Sequence, residues 1–175
     1  MKIYTIIYAL SLLLIPFLGT TQTYEHTLKE EKKWDISQSI GMGVTIHNYY
    51  VTTCDTSINS KNYFRLDEVF PLNSQYNPVL IGFVREDTAA QKVYFLDTND
   101  LSEELIIDYT LSVGDSFNFV NYSSYLDVVH VDTLYLNGKF RKTIHFEGYG
   151  QGIPYPRFVE GMGNGFWGVN RNYNA

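Results

Sequence analysis

The sequence predicts an all-β protein, an antiparallel sandwich or open barrel built from hairpins. Aromatic residues make up 16% of the chain, with 15 Tyr and 11 Phe, and such side chains suit the pleated, half-buried surface of a sheet. From Val44 onward, short apolar runs alternate with Asp, Asn, Gly and Ser, as they do in sandwiches and barrels. No window of helical length carries a sustained apolar stripe, so little helix is expected after the N-terminal segment.

Residues 1–21 have the pattern of a signal peptide. Lys2 provides a positive charge, residues 3–18 are almost wholly apolar, and small residues at 19–21 precede the expected cleavage before Gln22. A transmembrane anchor is the alternative, but Pro16 interrupts the apolar run, which is also short for a bilayer span. We therefore expect a secreted or cell-surface protein whose mature chain has no transmembrane anchor.

The mature part is interpreted as one domain. Residues 22–33 are polar and charged, and we expect them to form a leader, with ordered structure beginning at Trp34. Residues 34–175 then form a single β-rich domain, which is large enough to fold without disulfides. A truncation of this domain at its C-terminus is left open.

Charge, cysteine and glycine content exclude several classes of protein. The formal net charge is −6 and the basic residues form only small clusters, whereas nucleic-acid binding needs a concentrated basic patch. Cys54 is the only cysteine, so no intrachain disulfide can form, and we expect its thiol to be buried as a small apolar group. The glycines at 161, 163 and 165 lack the long helix that a phosphate-binding loop requires, so no cofactor is expected.

Residues 128–147 give the clearest local prediction. Asn137-Gly138 lies between two β-rich runs, which is a strong hairpin signal because both residues accept positive φ. A two-residue turn places apolar pairs mainly on one face and polar pairs mainly on the other, which supports the register. The first face pairs Val129 with Phe146, Val131 with Ile144, Thr133 with Lys142 and Tyr135 with Phe140. The second face pairs Val128 with Glu147, His130 with His145, Asp132 with Thr143 and Leu134 with Arg141.

Further strands are predicted along the chain. Hairpins are expected from residues 44–54 with 62–68, turning through 55–61, and from 79–85 with 92–97, turning through 86–91. Single strands are expected at 105–110, 116–120 and 157–160, and residues 99–105 could form a short helical turn. Asn59-Ser60-Lys61 is similar to Asn137-Gly138-Lys139, so the two hairpins are expected to use similar turns.

The cross-strand pair His130 and His145 is the most concrete candidate for chemistry. Directly opposite residues on an antiparallel ribbon have Cβ atoms about 4.5–5.5 Å apart, so two imidazoles can share a metal ion. Asp132 and Glu147 lie one step along the same face and could add oxygen ligands. The alternative is a solvated polar face on which the histidines have no metal role.

Paired carboxylates would suit a glycosidase, and the candidates are Glu160, Asp108 and Asp115. Asp108 and Asp115 flank a predicted turn, where Asp commonly caps the backbone. Glu160 follows an apolar stretch, and we expect it to be partly buried and paired with Arg157 or Arg141. Structural roles are favoured for all three, and the sequence contains no standard hydrolase motif.

Exposed aromatic residues provide a candidate ligand-binding surface, because Tyr and Trp rings stack on sugars or anchor protein interfaces. Packing in the core or in loops is the alternative interpretation. The candidates lie in or near turn-like segments and are Tyr122, Tyr125, Tyr149, Tyr155 and Trp167.

A series of short motifs resembles a group of uncharacterised secreted proteins of Bacteroidota, in order and spacing, over about residues 34–168. The motifs are Cys54-Asp55-Thr56-Ser57-Ile58-Asn59-Ser60-Lys61, Val84-Arg85-Glu86-Asp87, Ile107-Asp108-Tyr109, Leu111-Ser112-Val113-Gly114-Asp115, Val131-Asp132-Thr133 and Phe158-Val159-Glu160-Gly161-Met162-Gly163. The resemblance implies export, often with a C-terminal sorting domain for type IX secretion, which does not follow here before Ala175. It implies no catalytic residues.

These observations favour an exported, non-catalytic β-module with a structural or binding role at the cell envelope or outside the cell. A carbohydrate-binding module is the alternative, followed by an extracellular hydrolase. A flat row of exposed aromatics would favour glycan binding, whereas a deep cleft with two carboxylates of perturbed pKa would favour the hydrolase. The expected partner is a glycan or a cell-surface protein.

Overall fold

The computed structural model describes residues 23–39, 45–70, 78–119, 125–147 and 157–164. These residues form strands and turns, and none of them is helical, which confirms the predicted all-β class. Within those ranges there is accordingly no helix that could cross a membrane. The strands are β1 (Lys33–Ser39), β2 (Thr45–Ile58), β3 (Lys61–Val69), β4 (Val79–Asp87), β5 (Lys92–Leu96), β6 (Glu103–Asp108), β7 (Ser116–Asn118), β8 (Tyr125–Leu136), β9 (Lys139–Phe146), β10 (Arg157–Val159) and β11 (Gly163–Asn164).

The strands form two antiparallel sheets. The first sheet contains β1 to β6 in sequence order, so each strand pairs with the next one along the chain. The second sheet has the order β11-β10-β9-β8-β7. Among the described strands, the chain therefore passes between the sheets once, from β6 to β7, and the two predicted strands in this region lie in different sheets.

The two sheets share one hydrophobic core. The second sheet and its flanking residues contribute a group of phenylalanines whose rings meet edge to face, with neighbouring centroids 4.8–5.0 Å apart. Such aromatic contacts add to the stabilisation that comes from burial alone. The fully or almost fully buried residues include Leu66, Val84, Val93, Phe95 and Ile107 from the first sheet. From the second sheet and its flanking residues they include Phe117, Phe119, Phe146 and Phe158.

The predicted hairpin between β8 and β9 is confirmed over most of its length. Asn137 and Gly138 have φ values of 52° and 80°, as a two-residue turn of this type requires. The observed pairs match the prediction from His130 opposite His145 to the turn. At the other end, the predicted pairs of Val129 with Phe146 and of Val128 with Glu147 are wrong, because Val128 pairs with Phe146.

A β-bulge at Val129 causes this difference. Side chains alternate along a strand, so an unbroken β8 with His130 opposite His145 would direct Val128 and Leu126 away from the core. The extra residue in the bulge reverses the direction of the side chains that precede it, so those of Val128 and Leu126 point towards the core. Val128 and Leu126 are consequently buried, at 2% and 4% exposure, whereas Val129 is 53% exposed.

The hairpin between β2 and β3 also differs from its prediction in length. Its strands extend to a two-residue turn at Asn59 and Ser60, which have φ values of 51° and 63°. The expected similarity to the Asn137-Gly138 turn is therefore confirmed, but the expected seven-residue turn is wrong. Cys54 is exposed on β2 rather than buried, close to a register shift that interrupts the pairing with β3.

Two further predictions of local structure have different outcomes. The hairpin between β4 and β5 is confirmed, and its turn occupies residues 88–91. The helical turn at residues 99–105 is wrong, because a turn at 98–100 leads into β6, which begins at Glu103. Strand β1 has no counterpart in the prediction and pairs with β2 from Lys33 to Ser39.

Residues 24–32, which we call the N-terminal strap, belong to the folded domain. Thr27 and Leu28 are buried, and the strap exchanges backbone hydrogen bonds with β2, where Thr52 N donates to Lys32 O at 3.0 Å and Glu31 N donates to Thr52 O at 2.9 Å. This corrects the interpretation of residues 22–33 as a leader that precedes the ordered structure. The side chains of Tyr24, Thr27 and Lys32 form hydrogen bonds with the rest of the protein.

Candidate functional site

The ribbon formed by β8 and β9 brings together the three predicted metal-ligating residues, His130, His145 and Asp132. The two histidines are directly opposite, and their ring centroids are 5.6 Å apart. His145 Nε2 lies 3.3 Å from Asp132 Oδ1, and His130 Nε2 lies 3.6 Å from Asp132 Oδ2. One carboxylate therefore contacts both imidazoles.

The surroundings of this cluster are charged and open to solvent. The side chains of His130 and Asp132 are 64% and 45% exposed, and that of His145 is 26% exposed. Arg157 of β10 lies opposite His145 on its other side. No group of three or more His, Cys, Asp or Glu side chains within the described ranges is arranged to hold a metal ion.

Of the predicted aromatic ligand-binding residues, only Tyr125 is within the described part of the chain. It is 67% exposed at the start of β8. Tyr122, Tyr149, Tyr155 and Trp167 lie outside the described residues. Tyr125 is thus exposed as expected, and the role of these residues in ligand binding stays a prediction.

A second exposed aromatic group lies at the turn end of the β8–β9 ribbon, at Tyr135 and Phe140. These residues are directly opposite, are 60% and 63% exposed, and have ring centroids 4.9 Å apart with a tilt of 54°. The register predicted from the sequence places the pair on the apolar face, but nothing in the sequence marked it as a site. The position of the pair close to the turn could have indicated its exposure. The end of a ribbon can extend beyond the residues that cover its apolar face.

The carboxylates of Asp108 and Asp115 cap turns, as expected. Asp108 Oδ1 accepts hydrogen bonds from Thr110 N at 2.9 Å and Thr110 Oγ1 at 2.6 Å, and its other oxygen lies 3.1 Å from Lys92 Nζ. Asp115 Oδ2 accepts a hydrogen bond from Ser112 N at 2.8 Å. These contacts fix the connection between the two sheets.

Glu160 is buried and joins the strap to the second sheet. Its Oε1 accepts a hydrogen bond from Glu25 N at 2.7 Å, and its Oε2 accepts one from Lys142 N at 3.0 Å. The predicted pairing with Arg141 exists, but Arg141 Nη1 donates to the backbone carbonyl of Glu160, at 3.0 Å. Gly161 follows with a φ of 73°, and a side chain there would collide with Arg141.

Glu86 has the corresponding role in the first sheet and was not identified from the sequence. Its Oε1 accepts hydrogen bonds from Tyr24 Oη at 2.5 Å and Thr27 N at 2.8 Å, and its Oε2 accepts one from Leu28 N at 3.1 Å. Burial, together with the hydrogen bond to Glu86, raises the pKa of Tyr24 well above its usual range. The strap is thus held between one glutamate of each sheet.

Glu103 forms the main ionic cluster on the first sheet. Arg85 Nη2 donates to Glu103 Oε2 at 2.9 Å, Lys61 Nζ donates to the same oxygen at 2.7 Å, and Tyr63 Oη donates to Oε1 at 2.6 Å. The hydrogen bond from Arg85 is the largest cause that lowers the pKa of Glu103 to about 2. Arg85 also lies 4.0 Å from the ring centroid of Tyr94, a cation–π contact.

Comparisons of this chain with protein-family models, with curated proteins and with solved structures find no match. The candidate surfaces are therefore interpreted from their own geometry. Two of them lie on the β8–β9 ribbon: the exposed pair of Tyr135 and Phe140, and the cluster of His130, His145 and Asp132.

Proposed function

We propose that the protein is an exported, non-catalytic β-module that acts by binding at the cell envelope or outside the cell. The observation that carries the proposal is the structural use of its buried or capping carboxylates. Glu86, Glu160, Asp108 and Asp115 all accept hydrogen bonds from backbone N–H groups. A catalytic carboxylate must instead direct an oxygen to the substrate.

The end of the β8–β9 ribbon is the proposed contact surface. Tyr135 and Phe140 present two aromatic rings to solvent on a rigid two-stranded element, and aromatic side chains are frequent anchors of protein interfaces. The rings are tilted against each other and form no flat platform. This geometry favours a protein partner over the face of a sugar.

Export is supported by the N-terminal pattern and by the resemblance to secreted proteins of Bacteroidota. It is tested by fractionating cells that produce the full chain with a C-terminal epitope tag. We expect the tagged protein in the envelope fraction or the medium, with an N-terminus at Gln22 in mass spectrometry. An uncleaved protein retained in the cytoplasm would contradict this part of the proposal.

Binding is tested with the purified protein and the envelope fraction of the producing cells. We expect saturable binding that the double substitution Y135S/F140S weakens at least tenfold, roughly the effect of losing interface aromatics. Val113→Ser is the matched control, because Val113 is equally exposed but lies on the connection between the sheets. Equal binding by the wild type and the double variant would remove the ribbon end from the contact surface.

Catalysis is tested on the same sample with chromogenic glycosides, esters and peptides. We expect no turnover above that of buffer. Turnover that the substitution Glu160→Gln abolishes in a folded variant would contradict the non-catalytic part of the proposal. That result would move the hydrolase hypothesis to first place.

A carbohydrate-binding module is the second candidate, and the exposure of Tyr125 favours it. A glycan panel separates the two candidates. Saturable binding to one glycan that Tyr125→Ala removes would support the carbohydrate module. Binding to the envelope fraction without binding to any glycan would support a protein partner.

A further inference from the structure

Glu86, Tyr109 and Glu160 form the surface that holds residues 24–28, which we call the strap site. We propose that this site also binds the strap of a second copy of the chain, so that two copies exchange residues 24–28 and form a two-fold symmetric dimer. An exchange of this kind needs a site that recognises the exchanged segment and a hinge that can open. The strap site is separate from the ribbon end, so the inference does not depend on the proposed function.

The strap site recognises residues 24–28 through groups that lie far from them in the sequence. Glu86 accepts hydrogen bonds from Thr27 N at 2.8 Å and Leu28 N at 3.1 Å. Thr27 is fully buried, and its hydroxyl lies 2.7 Å from that of Tyr109. None of these contacts involves the residues that join the strap to β1. The same contacts therefore form whether the bound strap belongs to the same chain or to a second one.

Residues 29–32, which we call the hinge, join residues 24–28 to β1 in a strained turn. Lys32 N donates to Lys29 O at 3.3 Å, which is long for a hydrogen bond. Glu31, the third residue of this turn, has a φ of 57°, where Gly or Asn is usual. A residue with a Cβ is disfavoured in that conformation. Because Lys29 and Glu31 are also exposed, opening the hinge relieves strain without uncovering the core.

The edge of β2 provides an opened hinge with a strand to pair with. β1 pairs antiparallel with β2 and begins with Lys33 opposite Val51, whereas β2 continues to Ile58. Among the described strands, β1 and β3 are the neighbours of β2, so one edge of β2 faces no strand beyond the hinge. In the same register, a β1 extended through the hinge lies along residues 52–55 of β2. Ladder hydrogen bonds on this edge replace those of the turn.

The conformation of the hinge therefore decides the equilibrium between monomer and dimer. Both forms make the same contacts in the strap site, so a residue that suits positive φ at position 31 favours the monomer, and a β-branched residue favours the dimer. The dimer fraction rises with protein concentration. Exchange is slow, because the strap must first leave a site in which its N–H groups are buried and bonded.

The first test measures the dimer by size-exclusion chromatography with light scattering, after incubation of the purified protein at high concentration. All samples carry Cys54→Ser, because the exposed thiol would otherwise link two copies through a disulfide. We expect Glu31→Val to dimerise at least about tenfold more tightly than Glu31→Gly. Both variants lose the same charge, but only glycine suits the observed φ.

Gln91→Val and Gln91→Gly are the matched controls, because Gln91 has a φ of 54° in the turn between β4 and β5. Both are expected to dimerise as the parent protein does. Circular dichroism establishes that all variants are folded. The double substitution Y135S/F140S is expected to leave the dimer unchanged, whereas the proposed function predicts that it weakens binding to the envelope fraction. The two proposals therefore fail separately.

The second test identifies the chain to which each bound strap belongs. Glu25 Oε2 lies 2.6 Å from Lys139 Nζ, so a carbodiimide, which joins a carboxylate to an amine, links the strap to β9 at this contact. Isotopically labelled and unlabelled copies are refolded together, cross-linked and analysed by mass spectrometry. We expect the dimer fraction to contain linked peptides with one labelled and one unlabelled partner. The monomer fraction is expected to contain only uniform pairs.

Three results would overturn the proposal. One is a folded Glu31→Val that dimerises no more than Glu31→Gly. Another is a dimer whose Glu25–Lys139 links are all uniform in label, because the copies then associate through another surface. The third is loss of the dimer in Y135S/F140S, which would assign self-association to the ribbon end.

Discussion

The substitution Glu86→Ala tests whether the strap is part of the fold. Glu86 binds the strap through two backbone N–H groups, of Thr27 and Leu28, and through the hydroxyl of Tyr24. Its side chain is only 5% exposed, so these hydrogen bonds are shielded from water. The contact with His26 at 3.5 Å adds little, because that histidine is mostly exposed.

The expected loss of stability in Glu86→Ala follows from the three hydrogen bonds that Glu86 accepts from the strap. In each of them an N–H or O–H group donates to the carboxylate of Glu86. Buried hydrogen bonds to a charged group contribute about 1.5 kcal/mol or more. The combined loss of the three bonds is therefore expected to lower the free energy of unfolding by about 4.5 kcal/mol. The orphaned backbone N–H groups should also exchange with solvent more readily, because their opening no longer breaks a hydrogen bond.

Urea denaturation measures the change in stability, and amide hydrogen exchange measures protection at Thr27 and Leu28. Glu30→Ala is the matched control, because Glu30 is an exposed residue of the same strap. Its effect is expected to stay within about 0.5 kcal/mol. A loss below about 1 kcal/mol in Glu86→Ala, with protection unchanged, would refute the role assigned to this carboxylate.

Three other predictions concern acid stability, backbone conformation and the core. The pKa of Glu103, about 2, is below its usual value of 4.5, so the ionised group stabilises the fold above about pH 4.5 and this contribution is lost as the pH falls towards 2. An acid-unfolding curve of Glu103→Gln should lack that dependence, and an unchanged curve would contradict it. Gly161→Ala is expected to be less stable than Gly114→Ala by about 1–2 kcal/mol in urea denaturation. Both glycines have positive φ, but only Gly161 has other atoms close to the position of an added Cβ. Equal losses of stability in the two variants would exclude crowding as the cause. Phe158→Ala is expected to lower the free energy of unfolding by about 3–5 kcal/mol, whereas Phe140→Ala, at 63% exposure, is expected to change it little; comparable losses would contradict the assigned core.

The sequence by itself determined the features that depend on neighbouring residues. Asn137 and Gly138 accept positive φ, so they define a two-residue turn, and counting outwards from that turn places His130 opposite His145. The composition and the spacing of short apolar runs predicted the all-β class. The caps at Asp108 and Asp115 were also predictable, because a carboxylate beside a turn bonds to backbone groups two or three residues away.

The exposed pair at the ribbon end was only partly predictable. The register paired Tyr135 with Phe140 on the apolar face, and that pairing is confirmed. Whether an apolar face is covered depends on which other elements pack over it, and at the ribbon end the two side chains are 60% and 63% exposed. Local sequence contains no information on that coverage.

The tertiary structure alone decided the bulge at Val129, the exposure of Cys54 and the position of the strap. The bulge exists because β8 must direct Val128 into the core while it continues a register set at the distant turn. The strap is bound by Glu86 and Glu160, which lie 59 and 135 residues from the strap groups that they hold. Contacts at such separations form only when both sheets have assembled, so no local pattern in the sequence of residues 22–33 distinguishes a bound strap from a solvated leader.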